Sequence, residues 1–144
     1  MIAVDTNILV YAHRDDSPHQ SRARAALESL TAGHRSWAVP WPCLHEFLGV
    51  VTHPRIFTPP TDIPTAIGAM NDILDTPGVV AISESSNHAT LLAELTVGGS
   101  VMGPRIHDAK VAAICLGHGV TELWTADRDF SYFPALRTRN PLVG

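Results

Sequence analysis

Five carboxylates in this chain sit where an acid is either locally costly or well aimed: Asp5, Glu46, Asp108, Asp127 and Asp129. Asp5 closes the apolar run Ile2-Ala3-Val4, which reads as a short strand buried on both faces. An acid just past such a strand stands in the crevice where open α/β sheets bind ligands. Capping the helix that follows is the plainer role for the same side chain. Asp108 falls in the first turn of a helix that is apolar nearly all round, through Ala109, Val111, Ala112, Ala113, Ile114, Cys115 and Leu116. The helix dipole favours an acid there by about 0.3 to 1 kcal/mol, which explains its tolerance but not its burial. A buried carboxylate has to be paired, bound to metal or neutral.

Glu46 points away from the Leu44, Phe47, Leu48 and Val51 stripe of its helix, which is the position of a surface acid. Yet Cys43, Gly49 and Val50 flank it, so the helix reads as covered on two sides with its one acid facing a site. Asp127 follows the last expected strand as Asp5 follows the first, so the two can converge at one edge of the crevice. Asp129 either shares that work or caps the turn before Phe130. Four or five carboxylates around one crevice repel strongly without a cation, and oxygen-only donors select hard ions such as Mg²⁺ or Mn²⁺. Such a site can hold two ions about 3.5 to 4 Å apart, stabilising the attacking and leaving oxygens of an in-line displacement at phosphorus.

The elements that must position these acids follow from hydrophobic period and turn chemistry. A short helix over Ile8 to Ala12 ends in the polar cluster His13-Arg14-Asp15-Asp16. Ser17, Pro18 and Gln20 have the form of a capping box for a second helix, with Ala23, Ala26, Leu27 and Leu30 on its apolar face and Gly33 as a left-handed cap. Ser36 to Pro40 reads as a buried strand, and Pro42 opens a helix running to about His53. The proline-rich stretch Arg55 to Pro64 connects to a helix striped by Ala66, Ile67, Met70, Ile73 and Leu74 and closed by Pro77-Gly78. Val79 to Ile82 is a third strand. Helices are expected over Asn87 to Val97, broken by Gly98-Gly99-Ser100, and over Ile106 to Leu116. Glu122 to Thr125 is a fourth strand, with Ala126 to Phe130 as a loop or single turn. Strands alternating with helices specify an α/β fold, a parallel sheet with helices on both faces, and 144 residues fit one domain spanning 1–144.

Composition narrows the functional classes. Two cysteines, Cys43 and Cys115, make no disulfide framework, so a reducing cytoplasm is the expected setting. No basic n-region precedes Asp5 and no stretch approaches about 20 apolar residues, which argues against a secretory signal or membrane span. A net charge of -4 provides no basic footprint for a polyanion, so metal ions would have to supply positive charge to any nucleic-acid partner.

Other chemistries fit less well. Cys43, His45, Cys115 and His118 lack a recognised zinc spacing, and Cys43 and His45 diverge on one helix. His107 beside Asp108 invites an acid-base reading, but adjacent helical side chains point about 100° apart. No glycine-rich phosphate loop is present. A haloacid-dehalogenase phosphatase would need a second Asp where Asn7 stands. Arg105 and Arg128, near Asp108 and Asp127 in sequence, are candidate phosphate contacts, with surface ion pairs as the alternative. Trp41 and Tyr132 could stack on bases, although core packing is the commoner use of such residues. A non-enzymatic, catalytically silent binding module is the competing class.

In order along the chain, Val4-Asp5-Thr6-Asn7, Glu46-Phe47-Leu48, Ile106-His107-Asp108-Ala109 and Thr125-Ala126-Asp127-Arg128-Asp129-Phe130 resemble the motifs of PIN-domain ribonucleases, and within them the VapC-like toxins of bacterial toxin-antitoxin pairs. The resemblance implies a three-layer α/β/α PIN fold in which Asp5, Glu46, Asp108 and Asp127 hold Mg²⁺ or Mn²⁺. Thr6 and Asn7 would steady Asp5, and Asp129 would be auxiliary. It further implies a homodimer and a small cognate antitoxin that blocks the site. With Mg²⁺ or Mn²⁺ activating a bound water for in-line attack, the expected reaction is endonucleolytic cleavage of RNA to 5′-phosphate and 3′-hydroxyl ends.

Overall fold

The computed structural model describes residues 1–144. Its centre is a five-stranded parallel sheet of β1 (Ile2–Val4), β2 (Trp37–Pro40), β3 (Val79–Ile82), β4 (Glu122–Trp124) and β5 (Arg137–Arg139), in the spatial order β3-β2-β1-β4-β5. Six helices connect them: α1 (Thr6–His13), α2 (Gln20–Ala32), α3 (Trp41–Val51), α4 (Ile63–Asp75), α5 (His88–Gly99) and α6 (Arg105–Gly117). A 3₁₀ turn covers Arg128–Tyr132. Helices α1 to α4 pack on one another, as α5 and α6 do. Right-handed crossovers put these two groups on opposite faces, giving the expected α/β layering.

Strand order explains where a site can form. From β1 the chain steps outward through β2 to β3, then returns past β1 to β4 and on to β5. The direction of winding therefore reverses between β1 and β4, and the loops leaving their carboxyl ends diverge to open a crevice. Register aligns Val4 with Trp124, so Asp5 and Thr125 follow side by side, and Asp5 N–H donates to the Trp124 carbonyl at 3.0 Å.

The core is continuous across the sheet. Ala3, Val4, Ala38, Val39 and Leu123 are fully buried from the strands, and α6 contributes Ala109, Val111, Ala112, Ala113, Ile114 and Cys115. The three alanines of that row let α6 sit closely on the sheet, so its first turn arrives at the crevice. Phe47, Leu44 and Val51 bury the opposite side of α3 from Glu46. No helix is long and apolar enough to cross a membrane.

Several local expectations are corrected. Ser17 does not cap α2: its Oγ accepts the His19 N–H at 3.1 Å in a local turn, and the helix starts at Gln20 with His19 as its uncapped N-cap. Gln20 reaches back instead to Asp15 Oδ1 at 2.9 Å. Gly33 stays right-handed at φ -70, and the left-handed residue is His34 at φ 55. Pro64 lies inside the first turn of α4, where its missing N–H is harmless, and Asp62 caps that helix through Thr65 N at 3.1 Å. The glycines do not break α5 at Val97; the helix continues to Gly99, and Ser100 turns left-handed at φ 52 to end it. β5 lay outside the expected elements, because Arg137-Thr138-Arg139 has no apolar residue and all three are exposed at a sheet edge.

Because Phe47 is fully buried, Phe47→Ala should lower the free energy of unfolding by about 3 to 5 kcal/mol, read from denaturant titration.

Candidate active site

The reversal point is laced together by hydrogen bonds centred on Asp5, which is only 7% exposed. Asp5 Oδ1 accepts Thr6 N–H at 2.8 Å, so it does cap α1, and takes the Cys43 thiol at 3.4 Å. Oδ2 accepts the Thr125 hydroxyl at 2.8 Å and Asn7 Nδ2 at 3.3 Å. Capping and facing the crevice are therefore the same placement rather than alternatives. Thr125 Oγ1 in turn accepts Asn7 Nδ2 at 3.2 Å and Asp127 N–H at 3.0 Å, while Asn7 Oδ1 accepts Ala126 N–H at 3.1 Å. Asp127 Oδ1 then accepts Asp129 N–H at 2.8 Å, starting the 3₁₀ turn. One chain of donors thus runs from the β1 loop through the β4 loop to Asp129.

Asp5, Glu46, Asp108 and Asp127 all line one cleft of about 300 Å³, together with Thr6, Asn7 and His107. Its far wall is apolar, from Val10, Tyr11, Val50, Ile56 and Phe57. Oxygens of Asp108, Asp127 and Asp129 lie within 4.8 Å of one another. The acids form two groups that overlap at Asp108 and Asp127, with Asp5 and Glu46 on the cleft side and Asp129 at the exposed edge. Glu46 is 43% exposed and pairs with His107 Nε2 at 2.6 Å. A larger cleft of about 510 Å³ lies at the amino ends of β1 and β2, among Met1, Ile2 and Trp37, and contains no acid.

Charge in this group is held but not neutralised. No Lys or Arg pairs with any of the five acids; the chain's Arg ion pairs are Arg14–Asp16 and Arg24–Asp15, elsewhere. Burial raises Asp5 above its ordinary value of 3.8 despite the hydroxyl and N–H donors around it, and the charge of Asp127 adds to the rise. Asp108 is pushed from 3.8 to about 6, first by desolvation and then by the charges of Asp127, Asp5 and Asp129, with His107 opposing. An oxygen-only donor set whose members repel one another, on a rigid frame, fits a hard divalent cation.

Arg105 Cζ lies 3.7 Å from the centroid of the Tyr132 ring instead of against an acid, and Arg128 is exposed and unpaired. Tyr132 is 46% exposed, so the expectation that it packs in the core is corrected. Trp41 is half-buried against the core and tilts on His45 at 5.8 Å. The zinc grouping is absent: Cys43 is bonded to Asp5, His45 is exposed, and His118 Nε2 meets the Ser83 carbonyl at 2.7 Å. Cys43 and His107, set aside in the sequence as a zinc ligand and an acid-base group, and Thr125, given no role there, all belong to the site: Cys43 and Thr125 donate to Asp5, and His107 pairs with Glu46. Thr125 directly follows β4, two residues before Asp127, a position that could have marked it; the pairing of His107 with Glu46 has no signal in the sequence.

What fold and site define together is an α/β protein whose carboxylates converge at the switch point of a parallel sheet. Residues 2–136 match the PIN domain family. The VapC ribonuclease Mb2897 of Mycobacterium bovis is 36% identical over 144 residues, covering 100% of this chain and 97% of that protein. The chain therefore belongs to the PIN-domain family and stands among its VapC members. In fold it is similar to VapBC2 from Rickettsia felis bound to a DNA fragment from its promoter, with a TM-score of 0.74, 21% identity and 97% and 98% of the two chains covered. It is similar also to Mycobacterium tuberculosis VapC20, described as a sarcin-ricin loop cleaving toxin, with a TM-score of 0.68, 17% identity and coverage of 91% and 93%.

Thr125→Val should destabilise the protein by about 1 to 3 kcal/mol in denaturant, since it strips buried Asp5 of a donor, whereas Thr125→Ser should retain most of the stability. A raised carboxyl keeps its proton longer in the folded state, so between pH 4 and about 6 the unfolded chain ionises first and Asp108 erodes stability as pH rises. In chelator, Asp108→Asn should melt above wild type at pH 7 and lose that advantage at pH 4. An equal difference at both values would show that Asp108 carries no such burden.

Proposed function

We propose that this chain is a Mg²⁺- or Mn²⁺-dependent endoribonuclease acting as the toxin of a toxin-antitoxin pair. The observation that carries the reading is the convergence of Asp5, Glu46, Asp108 and Asp127 on one cleft with no Lys or Arg among them, His107 alone pairing with Glu46. The name of the Mycobacterium bovis relative, a ribonuclease, supports it over the full length of the chain. Bound at this cleft, Mg²⁺ or Mn²⁺ would activate water and offset charge at phosphorus for an in-line displacement leaving 5′-phosphate and 3′-hydroxyl ends.

The chain's own residues supply position. Asp5, fixed by Thr6, Asn7 and Thr125, and Asp127, fixed through Thr125 and the Asp129 N–H, are presented as donors that need no rearrangement. His107 holds Glu46 by its Nε2 and keeps that carboxylate on the cleft side of α3. Asp108 is the fourth donor from the buried helix, and Asp129 an auxiliary one at the edge. Arg128, exposed between two acids, is suited to the phosphate, and Arg105 adds positive charge one helical turn before Asp108. In the cell the substrate is RNA and the setting the cytoplasm. A small cognate antitoxin covers the cleft, whose apolar wall of Ile56, Phe57, Val10 and Val50 gives it something to grip, and the toxin acts as a homodimer.

The test is cleavage of structured RNA with Mg²⁺, with Mn²⁺ and in chelator, wild type beside Asp108→Asn, with the new ends identified. Expected are metal-dependent cuts, a fall of about 100-fold or more in Asp108→Asn, and 5′-phosphate ends. Cyclic phosphate ends, or activity that survives chelation, would transfer the chemistry to the histidines and overturn the proposal.

A further inference from the structure

Tyr132 is the odd aromatic of its turn. Phe130 and Phe133 beside it are 2% and 1% exposed and fill the core, while Tyr132 is 46% exposed. In a 3₁₀ helix, residues i and i+3 eclipse one another, so Asp129 and Tyr132 share one side of the Arg128–Tyr132 turn. Asp129 is the member of the acid group at the exposed edge, within 4.8 Å of Asp108 and Asp127. From the other direction, Arg105 stands one turn before Asp108 on α6, and its guanidinium lies over the ring at 3.7 Å. The stacked cation and ring thus border the carboxylates from two elements at once.

Neither partner is spent on the fold in the usual way. Arg105 makes no ion pair, and its Nη1 is buried without an acceptor. What the contact does is fix an aromatic plane at the rim of the acids, so that little side-chain freedom remains to be lost when a flat ligand settles on it. We propose that Tyr132 is the stacking surface for one nucleobase flanking the scissile phosphate, with Arg105 as the positioning residue that holds its ring. This rests on the ribonuclease reading above and adds a specificity element to it. Stacking accepts any base, so it selects unpaired nucleotides over paired ones rather than a sequence, and it grips RNA without the basic surface that a net charge of -4 denies the chain.

The test uses an RNA oligonucleotide spanning a site that the wild type cuts, with KM and kcat measured for Tyr132→Ala, Tyr132→Phe and Arg105→Ala. Tyr132→Ala should raise KM by roughly 5- to 100-fold, the range expected for losing one stacked base, with kcat and the metal titration midpoint nearly unchanged. Tyr132→Phe should stay within about twofold of wild type, and Arg105→Ala should fall between the two. An abasic nucleotide beside the cut should weaken wild type to the level of Tyr132→Ala and should weaken that variant no further. Unchanged KM in Tyr132→Ala, or equal sensitivity of both proteins to the abasic nucleotide, would overturn the stacking role while leaving the ribonuclease reading intact. Failure of wild type to cut any RNA in Mg²⁺ or Mn²⁺ would remove both.

Discussion

Uncompensated negative charge, gathered where a parallel sheet reverses its winding, is the constraint on which the rest of this molecule depends. Carboxylates left to themselves would separate or pair with cations. Here Asp5 and Asp127 are held by hydroxyl and N–H donors, which fix position without supplying charge. A lysine in place of Thr125 would satisfy the acids and close the site. A neutral donor instead leaves the repulsion standing, which adds to desolvation in pushing Asp108 up to about 6, and so preserves the attraction for an incoming cation.

Thr125 is the joint that makes this economical. A hydroxyl has one proton and two acceptor sites, and all three are in use: it donates to Asp5 and accepts from Asn7 Nδ2 and the Asp127 N–H. The same side chain therefore sets the orientation of an acid on the first strand's loop and the path of the backbone that carries an acid after the fourth. Because β1 and β4 are neighbours in the sheet but far apart in sequence, this small network ties the ends of the chain to one another.

How much of this could be read from the sequence follows from which features are local. Four strands and all six helices announce themselves by period or by an apolar run, and the acids at Asp5, Asp108 and Asp127 by their position after a strand or on a buried helix. β5 is silent because an exposed edge strand of Arg-Thr-Arg has no apolar pattern to give. Helix termini mislead where two local turns compete: Ser17 closes a tight turn on His19 before it can cap α2, and Ser100, not a glycine, takes the left-handed turn after α5. The partnership of Glu46 with His107 joins α3 to α6, and that of Arg105 with Tyr132 joins α6 to the 3₁₀ turn. Contacts of that kind depend on how the elements pack, which no single stretch of sequence contains.

The helix that carries Asp108 also carries six fully buried residues, and the two facts belong together. An acid that raises the energy of the folded state can be kept in place only by an element with stability to spare. Ala109, Ala112 and Ala113 are fully buried and let α6 lie close, while Val111 and Ile114 fill the core on either side. Larger residues at the alanines would push the helix outward and carry Asp108 away from Asp127, loosening the group even with every carboxylate present. The small residues of α6 are therefore as much a part of the site as the acids: they set the distances at which the acids repel, and that repulsion is what a cation would relieve.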